Sequence, residues 1–82
     1  MTREEVRATM LRVLGEIAPE ADLTTLKPDV AFRDQLDLDS MALLNVVLGL
    51  HAALGVEIPE ADYSSMATPD CCVDYLLSKL QR

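Results

Sequence analysis

The chain of 82 residues sets fourteen acidic against seven basic side chains, for a formal net charge of -7, and draws half its residues from the hydrophobic set with no Trp, one Phe and two Tyr. A domain this small removes only roughly 60 to 65% of its unfolded surface from water, which leaves no room for a deep enzyme cleft. The charge argues against nucleic acid, itself a polyanion, as a partner, and a core limited to Leu, Val, Ile, Met and Ala suits helices better than strands.

Thr2 and Glu5 have the spacing of a Thr-x-x-Glu capping box, and Val6, Met10, Val13, Leu14 and Ile17 follow as one helical stripe. The first helix is expected to end near Ala18 and Pro19, with Glu4, Arg7, Arg12 and Glu16 as ordinary solvated decoration on its other face. From Pro19 to about Asp39 the periodicity lapses, Pro28 intervenes, and a long loop is predicted with Leu23, Leu26, Val30, Phe32 and Leu36 as apolar anchors. A loop of about twenty residues in so small a domain has to be pinned or functional.

A second helix is predicted from about Ser40 to Leu54, with Asp39 or Ser40 as N-cap and Gly55 as the left-handed stop. VEIPEADYSSM then gives an extended entry to Pro59 and one short helical turn around Ala61 to Ser65, where Ser64 and Ser65 read as turn residues. Thr68, Pro69 and Asp70 supply a cap, a proline at the first helical position and an early acid for the last helix. Its stripe is Val73, Leu76, Leu77 and Leu80, with Cys72 on the inner arc and Cys71 less constrained. Tyr63 and Tyr75 are expected to pack their rings and leave their hydroxyls at the surface. The sum is all-α: a small four-helix bundle of three main helices and one short one, with a long first loop, in a single domain over residues 1–82.

Adjacent cysteines offer neither a long-loop disulfide nor a metal-ligand spacing and fit packing in a reducing cytosol. The opening MTREEVR lacks an apolar signal-peptide core, so a cytoplasmic protein is expected. Because the chain opens with Met1 and ends soon after the last helix, a freestanding protein is expected rather than a synthase module. The run from Ser40 to Val56 has no Asp, Glu, Lys or Arg, but it spans only 17 residues and is interrupted by Asn45, Gly49, His51 and Gly55, which argues against membrane insertion.

Ser40 is the residue with chemical interest. As a nucleophile of its own it would need a base within hydrogen-bond reach, and His51, the single histidine, lies eleven residues along the same helix, roughly 16 Å away. Two readings remain. Ser40 is either a capping serine or a serine that another enzyme modifies. A helix N-terminus favours an attached phosphodiester, and Asp37 and Asp39 lie close enough in sequence to contact a divalent cation or a basic residue of the modifying enzyme.

The run FRDQLDLDSMALLNVVLGLHAALGVEIPE resembles the core of an acyl carrier protein. Phe32, Leu36, Asp39, Ser40, Leu54, Ile58 and Pro59 carry the match, with Pro28 and Asp29 before it and Thr68 through Tyr75 and Leu76 after it. The resemblance implies that Ser40 is esterified with 4'-phosphopantetheine from coenzyme A by a phosphopantetheinyl transferase. The arm's thiol then holds acyl groups as thioesters for fatty acid, polyketide or related biosynthesis, and the protein itself, a monomer, catalyses nothing. Its other partners are acyl-loading and acyl-using enzymes. Aminoacyl, D-alanyl and peptidyl carriers are the competing class, the D-alanyl type sharing Asp-Ser-Met. A helical interaction module whose Ser40 only caps a helix is another.

Two residue patterns depart from the family. Met41 replaces the usual leucine, a volume-conserving change. More consequential, the positions where the family places acids on the second helix read Ala42, Asn45, His51, Ala52 and Ala53. With Val46, Val47, Leu50 and Leu54 enough to face the core, Met41, Leu43, Leu44 and Leu48 cannot all be buried. An exposed patch around Met41, Leu44 and Leu48 is expected to meet a partner, with the acids of the first loop and of residues 57–74 providing steering.

Overall fold

The structure, a computed structural model, describes residues 2–80. Helix α1 spans Arg3–Ile17, α2 is the single turn Phe32–Gln35, α3 spans Ser40–Leu54 and α4 spans Pro69–Leu80. Two 3-10 segments, Leu23–Thr25 and Glu60–Met66, interrupt the connections. All the regular structure among the described residues is helical. Helix α1 packs on both α3 and α4, and α4 also holds the second 3-10 segment.

The helix ends follow the sequence. The Thr2 side chain accepts from Glu5 N while Glu5 Oε1 accepts from Thr2 N, closing the expected capping box. The Thr2 backbone N–H at Glu5 is the leading reason that carboxyl sits below its ordinary range. At the head of α4, Thr68 Oγ1 accepts from Cys71 N at 3.2 Å, and Pro69 occupies the first helical position. Gly55 ends α3 at φ 65°, where a side chain would be strained, and its N–H donates to His51 O.

The core takes Val6, Met10, Val13 and Leu14 from α1, Val46 and Leu50 from α3, and Cys72, Val73 and Leu76 from α4. Ile17, Leu54, Leu77 and Leu80 pack half-buried around it, so the stripes taper toward the helix ends. Fully burying one such side chain contributes about 1.5–3 kcal/mol, and these residues supply most of the driving force. Val47, expected to face the core, is half-buried instead.

The first connection is more ordered than a loop. Of its anticipated anchors Leu26 and Phe32 are buried, Leu23, Val30 and Leu36 are half-buried, and Leu38, not anticipated, is buried as well. Gln35 pins the segment: its Oε1 accepts from Lys27 N at 2.8 Å, and its Nε2 donates to Lys27 O and Val30 O, each at 2.7 Å. One side-chain amide thus satisfies three backbone groups that have no ladder to join. The second connection also corrects the sequence reading. Its helical turn runs from Glu60 to Met66, longer than Ala61 to Ser65, because Met66 is drawn into the core. The Tyr75 hydroxyl, expected free at the surface, donates to Asp62 Oδ2 at 2.6 Å and ties this segment to α4.

Candidate functional site

Three successive residues build the head of α3. Asp37 adopts φ 53°, a left-handed conformation that aspartate tolerates better than most side chains. The turn lets Leu38 enter the core while Asp37 and Asp39 stay exposed. Asp39 is extended, and its Oδ1 accepts from Ala42 N at 2.8 Å. Asp39 is therefore the N-cap, which resolves the choice between it and Ser40 in favour of the aspartate. Ser40 becomes the first helical residue, exposed to solvent, with its hydroxyl not used for capping.

Ser40 stands at the mouth of a cleft of about 350 Å³. Phe32 and Arg33 of α2, Leu43, Leu44, Val46 and Val47 of α3, and Tyr63, Ser64 and Met66 of the 3-10 segment line it, with Cys72 of α4 deep inside. The interior is hydrocarbon and sulfur, and the polar groups sit at the rim. Burial pushes the Cys72 thiol up to about 12, so it lines the cleft as an apolar surface without a reactive thiolate. Sequence reasoning did not identify the residues that line this cleft, since its walls come from four separate segments. The signal at hand was the excess of apolar residues on α3.

The outer side of α3 matches the expected patch. Met41, Leu44 and Leu48 are 69%, 39% and 54% exposed, along one stripe that starts beside Ser40. Asn45, His51, Ala52 and Ala53 are exposed too, so no charged side chain interrupts it. Leu43, which shared the same excess, is half-buried in the cleft wall. His51 lies at the opposite end of the helix, its Nδ1 2.7 Å from Val56 O, and has no part at Ser40. Among the described residues there is no cluster of three or more His, Cys, Asp or Glu that could hold a metal, and no helix long and apolar enough to cross a membrane.

A small helical bundle that exposes a serine hydroxyl at the head of a helix, beside an apolar cleft, can present an attached group both to solvent and to that cleft. Residues 4–76 match the family model for the phosphopantetheine attachment site. The chain is 30% identical over 78 residues to an acyl carrier protein of Acidothermus cellulolyticus, covering 93% of this chain and 89% of that one. It is 31% identical over 80 residues to an acyl carrier protein of Rubrobacter xylanophilus, covering 94% of each. A solved acyl carrier protein structure from Enterococcus faecalis superposes with a TM-score of 0.80 at 28% identity, over 96% of this chain and 99% of that one. The chain belongs to the phosphopantetheine-bearing acyl carrier proteins. The prosthetic group of such a carrier, covalently attached 4'-phosphopantetheine, ends in a thiol that holds acyl chains as thioesters.

Proposed function

We propose that Ser40 bears the phosphopantetheine group, and that residues 1–82 act as one carrier domain, a cytoplasmic monomer that transports acyl chains between enzymes and catalyses no step itself. The observation that carries this reading is the division of labour at the helix head. Asp39 does the capping, so the adjacent Ser40 hydroxyl is left free at the cleft mouth. The residues present fit the group: an exposed nucleophilic oxygen, the partial positive charge of a fifteen-residue helix at its base, and an apolar cleft opening beside it. Asp37 and Asp39, both exposed beside Ser40, are available to a basic residue or a cation of the transferase.

The cleft, at about 350 Å³, lies toward the small end of the roughly 300–1,000 Å³ usual for ligand sites. Its hydrocarbon lining favours an aliphatic acyl chain over an aminoacyl group, whose ammonium would lose its hydration there without a partner. The stripe of Met41, Leu44 and Leu48 is the docking face for acyl-handling enzymes with an apolar depression. The acids near its two ends, Asp37 and Asp39 on one side and Glu57 and Glu60 on the other, favour a partner rimmed with Arg and Lys.

Incubating the protein with coenzyme A, Mg²⁺ and a broad-specificity phosphopantetheinyl transferase, then measuring intact mass, tests the attachment. Wild type should gain one phosphopantetheine and Ser40→Ala none. A wild type that stays unmodified while control carriers are loaded removes the carrier role and leaves the helical interaction module.

A further inference from the structure

We propose that Arg33 is the counter-charge for the phosphodiester on Ser40, laying the arm along the cleft. The proposal rests on the reading of Ser40 as the attachment point.

The helix N-terminus favours an anion on Ser40, but two carboxylates beside it oppose one. Asp37 and Asp39 are both exposed beside Ser40, and Asp39 already occupies the Ala42 N–H. Only Lys27 and Arg33 are basic between Glu16 and Asp39, and of these two Arg33 alone lines the cleft with Ser40. Its position is fixed from below. The neighbouring Phe32 is 3% exposed, and Phe32 N donates to Ala67 O at 2.8 Å, which anchors α2 against the far wall of the cleft.

Among the described residues Arg33 forms no ion pair. Four ion pairs occur among the described residues, and they use Arg3, Arg12 and Lys79. None uses Arg33, although Asp29, Asp34, Asp37 and Asp39 all lie within six positions of it. An arginine without an ion pair among the described residues, in an acid-rich segment and in the cleft lining it shares with Ser40, is matched to a phosphate by its planar fork of donors. Pairing there cancels the repulsion from the two aspartates and biases the arm to the side of Ser40 where the apolar cleft opens.

The test compares wild type, R33Q and R33K before and after attachment, using the nitrogen and proton resonances of the arginine Nε–H and the phosphorus resonance of the arm. Wild type should show a shift of the Arg33 Nε–H signal on attachment that collapses at high salt. In R33Q the phosphorus resonance should move away from its wild-type position and narrow as the arm gains freedom, while R33K, which keeps the charge without the fork, should fall between. An Arg33 signal that does not move on attachment, or a phosphorus resonance the same in wild type and R33Q, overturns the pairing. Circular dichroism confirms that both variants stay folded, as expected for an exposed position. A wild type that takes up no arm sinks the Ser40 reading and this one with it; an arm in place beside a silent Arg33 sinks this one alone.

Discussion

On its inner face α3 sets Val46 and Leu50 in the core, at 4% and 0% exposed, whereas on its outer face Met41, Leu44 and Leu48 lie 39–69% exposed. Both faces are aliphatic, and hydropathy along the helix does not distinguish them. What does is the approach of α1. At Gly49 a Cβ would lie 2.7 Å from Val13 Cγ1, so the missing side chain is what admits α1 to this side of the helix. The outer side has no such neighbour. Burial here follows from shape, and apolar character alone does not decide it.

Leu50→Ala is the strongest way to test the inner face. Removing a side chain with no exposed surface should cost about 2–5 kcal/mol, a large fraction of the roughly 5–15 kcal/mol that stabilises a domain. Urea unfolding followed by circular dichroism measures it. A loss well below that range would mean that the two faces do not differ as described.

Gly49→Ala addresses the cause of the contrast. In a free helix the change gains about 1 kcal/mol of propensity. Here the new methyl meets a β-branched side chain with a stiff χ1, itself 2% exposed, and overpacking of this kind costs about 1–3 kcal/mol. A net loss of about 1 kcal/mol is expected, reversed in sign when Val13→Ala is already present. A stabilised G49A in the wild-type background would show that α1 and α3 are not in close approach.

The features legible in the sequence are those written over three or four neighbours. The Thr2 and Glu5 box, the Thr68 cap, Gly55, and the candidate serine beside an aspartate are of that kind, and so was the surplus of leucines on α3. Contacts between distant positions were not legible. Gln35 looks like a surface residue until its amide is seen on Lys27 and Val30, and the Asp62 to Tyr75 hydrogen bond joins two segments with no common pattern. The cleft beside Ser40 is of the same sort, as its walls are gathered from residues 31–72. Arg33 belongs to no local pattern, because its place in the cleft lining depends on the turn that Phe32 anchors.

The same inner and outer contrast recurs between two neighbouring residues of α4. Cys71 is exposed and Cys72 buried. In the native protein one thiol should react readily with an alkylating reagent and the second only after unfolding, as counted by intact mass. Because burial holds the Cys72 thiol at about 12 against an ordinary 9.0, the folded state keeps that proton more tightly than the unfolded chain. Its contribution is complete below pH 9, and it is lost as pH climbs toward 12. Rapid labelling of both thiols at neutral pH would mean that the cleft floor is open to solvent.

The outer face should show the smallest effect on stability and a clear one on function. Leu44 is the less suitable probe there, since it lines the cleft as well as the surface, and a change would mix docking with enclosure of cargo. Leu48 is 54% exposed and lies outside the cleft. Leu48→Lys should therefore leave stability within about 0.5 kcal/mol, as for other surface substitutions. It replaces an apolar member of the stripe with a cation that a basic-rimmed partner repels, so the rate at which acyl-handling enzymes load the phosphopantetheine-bearing protein should fall. Loading at the wild-type rate in a variant of unchanged stability would take Leu48 out of the docking face, and leave its exposure as a consequence of α1 having packed on the other side.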